Sequence, residues 1–322
     1  MDNRKFDKIG LTFDDVLLVP NKSDVLPSQV DLASVISSQI DIKIPIISAA
    51  MDTVTDARMG VALAREGGMG VVHKNMSVED QAGEVKKIKR SESGMIVDPI
   101  TLSPDKSIRA ALQLMEKFSI SGIPITKKGK LVGIITHRDL RFEKNLNRKI
   151  SELMTRKNLV TAPEDVTLDD AKEILHRHRI EKLLLVNKSN VLRGMITVKD
   201  IMKKIRYPLA CKDIRGRFRA AAAVGATGDL RERATALVKE EVDVLVLDSS
   251  HGHSSNVLAA VQNLKKWFPK VVVMAGNVAT REGALDLIKA GADSIKVGVG
   301  PGSICTTRVV IGSGVPQLTA VA

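Results

Sequence analysis

The sequence GVGPGSICTTR, at residues 298–308, places one of the chain's two cysteines at the end of a glycine-rich segment. Cys305 follows Gly298, Gly300 and Gly302, and glycine adopts backbone conformations that residues with a Cβ avoid. Such a segment can fold tightly around a ligand and hold the sulfur beside it. A thiolate is a strong nucleophile near neutral pH and a good leaving group, so Cys305 is a candidate for covalent catalysis.

Six apolar runs, most of them followed by a helical pattern, are the elements that would position this segment. Near-continuous apolar runs are typical of buried parallel strands, and here polar or glycine-rich residues follow each run. This arrangement predicts a (β/α)₈ TIM barrel, which keeps its site at the carboxyl ends of its strands, with a doubly wound open sheet as the rival. The runs are IPIISAAMDTV (44–54), GMGVVHKNMS (68–77), AAAAVG (220–225), DVLVLDSSHGHS (243–254), VVVMAGNVAT (271–280) and ADSIKVGVGPGS (292–303), and helices are expected at 56–66, 78–89, 229–240, 255–267 and 281–290.

Between the second and third runs lies an internal repeat, in which residues 101–139 align with residues 161–200. Each copy has a helical pattern, an apolar strand and a G-x-x-T-x-x-D ending, with Thr136 and Asp139 in one copy and Thr197 and Asp200 in the other. The duplication resembles a pair of cystathionine-β-synthase-type (CBS) modules, a Bateman domain. The resemblance implies an α+β insert in which these four residues meet the ribose or phosphates of a regulatory nucleotide. Simple helix capping is the alternative for each pair.

The remaining motifs resemble those of the inosine-5′-monophosphate (IMP) dehydrogenase family. The matching stretches are LTFDDVLLVP, PIISAAMDTVT, HKNMS, AAAAVG, DSSHGHS, AGNVAT and GVGPGSICTTRVV with GVPQLTAV, and GPGSICTTR is the most specific. The resemblance implies that Cys305 attacks carbon 2 of IMP, that a hydride leaves to NAD, and that the covalent thioimidate is hydrolysed to xanthosine monophosphate (XMP).

The same resemblance implies a role for each matching residue. Thr307 lies beside the nucleophile; Met51, Asn277 and Ser303 bind IMP; Asp248, Ser249, Ser250, Gly298, Val299 and Gly300 bind NAD; and the carbonyls of Gly300, Gly302 and Cys305 hold potassium. Taken alone, each has a structural alternative: Met51 in a core, Asn277 in a turn and Asp248 as a helix cap. His251 and His253 lack a third metal ligand nearby and are therefore a weak candidate for a zinc site. Cys211 is interpreted as a small apolar residue.

The domain boundaries follow from the interruption by the repeat. We expect barrel segments at 1–91 and 208–322, CBS module 1 at 92–148 and CBS module 2 at 149–207. A closed barrel needs eight strands and the pattern gives six, so the resemblance predicts a barrel that lacks its last strands and is incomplete for turnover.

The amino-acid composition indicates which classes of ligand the protein binds and where it is located. A net charge of +12 suits anionic nucleotides, but 2% aromatic residues argue against nucleic-acid binding as the main function. The two distant cysteines, the lack of an N-terminal leader and the absence of a membrane-length apolar run predict a cytoplasmic protein. The resemblance implies a homotetramer or octamer with adenine or guanine nucleotides bound to the CBS pair. GMP reductase, and a non-catalytic nucleotide sensor on an inactive barrel, are the alternative functions.

Overall fold

The computed structural model describes residues 9–91, 96–97, 99–118 and 120–322; the side chains of residues 97, 200 and 203–205 lie outside that description. The chain divides into two compact units. Unit 1 comprises residues 1–91, 209–213 and 217–322, and unit 2 comprises residues 92–208 and 214–216.

Strands and helices alternate through most of the chain. The strands are β1 (Ser34–Ser37), β2 (Ile40–Ile42), β3 (Val71–Val72), β4 (Ile96–Val97), β5 (Gly122–Lys127), β6 (Lys130–Thr136), β7 (Thr161–Pro163), β8 (Lys182–Val186), β9 (Leu192–Thr197), β10 (Ala221–Val224), β11 (Val244–Asp248), β12 (Val272–Val278) and β13 (Ser294–Val297). The helices are α1 (Ala57–Glu66), α2 (Val78–Ser91), α3 (Ile108–Phe118), α4 (His137–Leu140), α5 (Ile150–Leu153), α6 (Leu168–His178), α7 (Val198–Arg206), α8 (Leu230–Lys239), α9 (Ser255–Trp267), α10 (Arg281–Ala290) and α11 (Gln317–Val321). Short 3₁₀ turns occur at Phe13–Asp15 and Pro27–Gln29, and a π-helical turn at Thr307–Ile311.

Unit 1 is built on a five-stranded parallel sheet in the order β13-β12-β11-β10-β3. The spatial order follows the chain order without a reversal among the described strands. A doubly wound sheet reverses its strand order at a switch point, so this sequence of neighbours favours a barrel-type winding. The chain is therefore an α/β protein with a parallel sheet, as predicted. Closure into an eight-stranded barrel stays a prediction.

Both faces of this sheet are buried, which explains the continuous apolar runs. On one face, Ala222, Val224 and Leu245 pack in the same cluster as residues of α8, α9 and α10. On the other face, Ala223 and Val246 pack with Ile36, Ile40 and Ile42 of the β1–β2 hairpin. Because successive side chains of a strand alternate between faces, one run of sequence supplies both clusters.

The helices of unit 1 lie close to their predicted positions, and capping residues fix the ends of α1 and α10. Asp56 begins α1 by accepting hydrogen bonds from the backbone N–H groups of Arg58 and Met59, and Gly67 ends the helix in the left-handed conformation. Thr280 and Gly291 do the same for α10. The five helices predicted in unit 1 are confirmed to within two residues at each end.

The strand candidate within residues 44–54 is shorter than predicted. This segment forms one parallel bridge, Ile47 with Met69, beside β3, and no regular strand. Beyond Ser48 the chain turns, because the N–H groups of Val54 and Thr55 both donate to the carbonyl oxygen of Met51. Only five of the six strand candidates are therefore regular strands.

Unit 2 contains the internal repeat as two similar halves. The first half has α3, the antiparallel pair β5–β6 and α4; the second has α6, the antiparallel pair β8–β9 and α7. Strands β4-β9-β8-β7 form a four-stranded sheet. Each half has its own apolar cluster, so each copy of the repeat is a structural module.

Candidate functional site

The chemistry-bearing residues of unit 1 follow the carboxyl ends of neighbouring strands. Lys74 comes after β3, Asp248 ends β11, Asn277 lies near the end of β12 and Gly298 follows β13. Parallel strands end at one edge of their sheet, so these residues share that edge. One cavity lies at this edge, and a second extends from the edge along the face of the sheet that the β1–β2 hairpin covers.

The first, which we call the polar cavity, has a volume of about 490 Å³. Its lining comes from the segments that follow β3, β10 and β11. The lining includes Lys74, Thr227, Asp229, Asp248, Ser249 and Ser250. Three of the predicted cofactor residues, Asp248, Ser249 and Ser250, therefore line one cavity, whereas Gly298, Val299 and Gly300 do not line it.

The second, which we call the inner cavity, has a volume of about 580 Å³. Met51 and Asn277, both predicted to bind substrate, line it together with Asp248. Apolar side chains such as Ile47 and Met274 supply much of the remaining wall. Asp248 therefore lies at the boundary of the two cavities, and the structure brings it together with two of the three predicted substrate residues.

Lys296 is a polar group of the inner cavity that sequence reasoning missed. Its Nζ lies 2.5 Å from Oδ1 of Asp248, and both side chains are about 30% exposed. The backbone of Lys296 lies close to β12 because residue 276 is glycine. A Cβ at that position would lie 2.5 Å from the carbonyl oxygen of Lys296. The available signal was a lysine within the apolar run of β13.

Backbone hydrogen bonds fix the loop after β11 against the end of β12. The N–H of Ser249 donates to Gly276, that of Asn277 to Ser249, and that of Gly252 to Asn277, at 2.8–3.0 Å. The Asn277 side chain extends this network, because its Nδ2 donates to the carbonyl oxygen of Gly298 at 2.9 Å. The loops after β11, β12 and β13 are thus held together by hydrogen bonds.

The glycine-rich segment adopts the conformations that its sequence predicts. Gly298 and Gly300 have φ values of 128° and 78°, in the range that favours glycine. A Cβ on Gly300 would lie 2.7 Å from Gly314, so the segment also needs glycine for close backbone approach. Val315 closes the loop by donating its N–H to Val299 at 2.8 Å.

Cys305 lies in this loop with a partly exposed, unbridged thiol. The backbone N–H of Arg308 lowers the pKa of the Cys305 thiol from its ordinary value, and the N–H and hydroxyl of Thr307 act in the same direction. Lys296 is the last residue along the chain that lines either the polar cavity or the inner cavity, among the described residues. The structure therefore places Thr307 beside Cys305 but brings Cys305, Thr307 and Ser303 to neither cavity.

The remaining candidate side chains of unit 1, two histidines and a cysteine, line neither cavity. Nε2 of His253 lies 3.0 Å from a carboxylate oxygen of Asp286, and His251 is exposed. Cys211 is 3% exposed in the cluster beneath the β1–β2 hairpin, and burial raises the pKa of its thiol to about 11. Cys211 is thus a buried apolar side chain, as its sequence context suggested.

In unit 2, Thr136 and Asp139 are joined directly. Oδ2 of Asp139 accepts hydrogen bonds from the Thr136 N–H at 2.7 Å and from its hydroxyl at 2.8 Å, which is a helix-capping arrangement. Both residues also line a cavity of about 350 Å³ that contains Arg138 and Lys182. Burial lowers the pKa of Lys182.

The second copy of the motif is described less fully. Thr197 ends β9 opposite Lys182 of β8. Asp200 lies in the first turn of α7, but its side chain lies outside the described residues. The structure consequently gives geometry for one of the two predicted nucleotide motifs. Within the described part of the chain, no helix is long and apolar enough to cross a membrane.

The chain is similar in sequence and in fold to known proteins. Residues 10–322 match the family described as the IMP dehydrogenase / GMP reductase domain. Inosine-5′-monophosphate dehydrogenases of Aquifex aeolicus and Bacillus subtilis are 56% and 55% identical over 98% of this chain. The chain spans about 65% of the length of these relatives. A solved structure of Trypanosoma brucei GMP reductase with guanosine 5′-triphosphate is 36% identical, with a TM-score of 0.90 over 100% of this chain and 78% of that one.

Proposed function

Because the chain belongs to the IMP dehydrogenase / GMP reductase family, we propose that its site serves the NAD-dependent oxidation of IMP to XMP in guanine nucleotide synthesis. One observation carries this proposal. Met51, Asp248 and Asn277, assigned to substrate and cofactor by the motifs, line one cavity at the carboxyl edge of the parallel sheet. The identity of 53–56% to curated relatives with that name supports the same choice.

The proposed fold is a (β/α)₈ barrel that carries a CBS pair. Sequential strand order in unit 1 and the two similar halves of unit 2 support it. The family further suggests a cytoplasmic homotetramer or octamer, which we retain as a proposal.

In the proposed reaction, the Cys305 thiolate forms a bond to carbon 2 of IMP. The N–H groups of Arg308 and Thr307 stabilise that thiolate before attack. Carbon 2 then loses a hydride, which leaves a thioimidate on the sulfur, and water adds to carbon 2. Loss of the sulfur releases XMP and returns the thiol. Splitting the oxidation in this way replaces one difficult step by two easier ones.

The residues around the polar cavity fit the cofactor that this reaction requires. Carboxylate and hydroxyl groups at Asp248, Ser249 and Ser250 suit ribose hydroxyls, which donate and accept hydrogen bonds. Bound NAD would supply the hydride acceptor. Gly298, Val299 and Gly300 are proposed to contact the same cofactor through their backbone.

Substrate and cation contacts complete the proposal. Met51 would pack on the purine ring, Asn277 would hydrogen-bond IMP, and Ser303 would bind its phosphate. Carbonyl oxygens are suitable ligands for potassium, and those of Gly300, Gly302 and Cys305 are the proposed set. The carbonyls of Gly302 and Cys305 each accept one backbone N–H, and a carbonyl oxygen has a second lone pair for a cation.

Unit 2 is proposed to bind a regulatory nucleotide through Thr136, Asp139, Thr197 and Asp200. The cavity at Thr136 and Asp139, with Arg138 and Lys182 in its wall, supports binding of an anionic ligand. A nucleotide sensor on an inactive barrel is the second candidate function, favoured by this cavity alone.

GMP reductase is the nearest alternative enzyme. Because GMP reductases usually lack an inserted CBS pair, the repeat in this sequence would by itself favour the dehydrogenase. The solved GMP reductase structure covers 100% of this chain, including unit 2, so the insert does not discriminate between the two enzymes. The choice of IMP dehydrogenase therefore rests on sequence identity, which is 56% to the Aquifex aeolicus IMP dehydrogenase and 36% to the Trypanosoma brucei GMP reductase.

Binding of IMP to the inner cavity provides the test. We expect calorimetric titration with IMP to give a Kd that rises about tenfold in Asn277→Ala, because one hydrogen-bonding side chain at the site is removed. His253→Ala, which replaces a side chain lining neither cavity, is the matched control. Equal affinities for IMP in all three proteins would refute this site.

A further inference from the structure

Asp229 is an acidic wall residue of the polar cavity to which no role has been assigned. It follows β10 in the segment Gly225–Asp229 and precedes α8, and its side chain is 39% exposed. Asp248 contributes a second carboxylate from the end of β11. The cavity therefore carries one carboxylate from each of two neighbouring βα units.

The cation nearest to Asp229 is Arg233, and it is not available to bind a ligand. Arg233 is 7% exposed, and its Nε and Nη2 lie 2.8 and 2.6 Å from Oδ2 of Asp229. Its Nη1 donates to Oε1 of Gln81 at 2.9 Å, and Nη2 also donates to the carbonyl oxygen of Met76 at 3.1 Å. All parts of this guanidinium are thus committed within the protein.

The orientation of Asp229 is fixed by the same contacts. Arg233 holds Oδ2, while Oδ1 has no hydrogen-bond partner among the described residues. The neighbouring Gly228 has a φ of 70°, and a Cβ there would meet nothing within 4 Å, so open space adjoins the carboxylate. Lys74 is the other cation of the wall, with its Nζ 3.7 Å from the Cβ position of Gly225.

We propose that Asp229 is a specificity-determining residue that accepts the ribose hydroxyls at the adenosine end of the dinucleotide and excludes a 2′-phosphate. A carboxylate accepts two hydroxyl donors from a ribose diol, as acidic residues do in other dinucleotide sites, whereas a phosphate at that position meets a like charge. Lys74 supplies a positive charge for the pyrophosphate. The inference rests on the proposed function, because it takes the polar cavity as the cofactor site.

The test compares NAD⁺ with NADP⁺ on the 322-residue chain. Cys305→Ala serves as background with saturating IMP, so that no cofactor is consumed, and binding is followed by saturation-transfer NMR of the nicotinamide protons. We expect NAD⁺ to bind at least about tenfold more tightly than NADP⁺, and Asp229→Asn to reduce that ratio to about one. Asp286→Asn, which removes a carboxylate from α10 outside the cavity, should leave the ratio unchanged.

A second variant keeps the test independent of folding defects in Asp229→Asn. Thr227→Lys adds a cation at an exposed position of the same wall and leaves the Asp229–Arg233 pair intact. It should raise NADP⁺ affinity by about tenfold. If both dinucleotides bind and the ratio of NAD⁺ to NADP⁺ affinity is unchanged in both variants, the role of Asp229 is overturned while the cofactor site stands. Binding of neither dinucleotide by any protein would overturn the cofactor site itself.

Discussion

Cys305 and Cys211 show how surroundings decide the chemistry of one side-chain type. Cys305 is partly exposed and receives backbone N–H groups from the turn that begins at Thr307, which favour its thiolate. Cys211 is buried against the apolar face of the sheet, where burial disfavours the charged form. The thiolate is the reactive species, so only Cys305 is placed for nucleophilic chemistry.

Alkylation should therefore separate the two thiols by pH. The lowered pKa of Cys305 means that its thiolate forms below the ordinary pH for a cysteine, so its reaction with iodoacetamide should begin first as pH rises. Cys211, with a pKa of about 11, should remain unmodified through pH 9. Peptide mass spectrometry from pH 6 to 10 would measure both. Modification of Cys211 before Cys305 would contradict the two environments.

Glycine contacts decide how the elements of unit 1 pack. Gly70, immediately before β3, is buried against α1, and a Cβ there would lie 2.5 Å from the Cα of Gly60. Gly83, within α2, has nothing within 4 Å of its Cβ position. One glycine is required by close backbone contact, whereas the other only lowers helix propensity.

The two glycines should respond in opposite directions to alanine. Gly70→Ala should lower the free energy of unfolding by about 1–3 kcal/mol, because the added methyl overpacks the contact with α1. Gly83→Ala should raise it by about 0.5–1 kcal/mol through better helix propensity. Trp267, the only tryptophan, lies in unit 1 and reports its urea unfolding by fluorescence. A destabilised Gly83→Ala would contradict the open space.

A buried ion cluster joins the end of α2 to the start of β11. Nζ of Lys89 lies 2.9 Å from Asp213 and 2.8 Å from Asp243, and all three side chains are 4–11% exposed. Asp243 also accepts the N–H of Ala220. Three separate chain segments of unit 1 thus meet at one ammonium group.

Removing that ammonium should be costly. Lys89→Met removes the ammonium that both buried carboxylates contact. Asp213 keeps its ion pair with Arg217, so the loss falls mainly on Asp243, and the free energy of unfolding should fall by about 3–5 kcal/mol. Lys86→Met on the same helix removes the more exposed pair with Glu240 and should cost no more than about 1 kcal/mol. Urea titrations followed at Trp267 would compare them. Equal losses in both variants would contradict the role of burial.

Across the whole molecule, local signals and spatial relations were predictable to different degrees. Helical patterns in the sequence predicted α9 and α10 at their observed bounds, because apolar periodicity is a property of neighbouring residues. The strand expected within 44–54 is reduced to one bridge, because pairing at a sheet edge depends on a turn after Ser48. The pairing of Lys296 with Asp248, 48 residues apart, required the structure.

Formation of the Cys305 adduct tests the central claim most directly. The folded chain would be mixed with IMP, NAD⁺ and potassium, and with GMP and NADPH in parallel, while NADH absorbance and the mass of the Cys305 peptide are recorded. Cys305→Ala is the control. We predict NADH in proportion to a purine nucleotide adduct on Cys305 with the first mixture, and neither product in the control. NADH formation by Cys305→Ala, or oxidation of NADPH with GMP and no reaction with IMP, would contradict the proposed function.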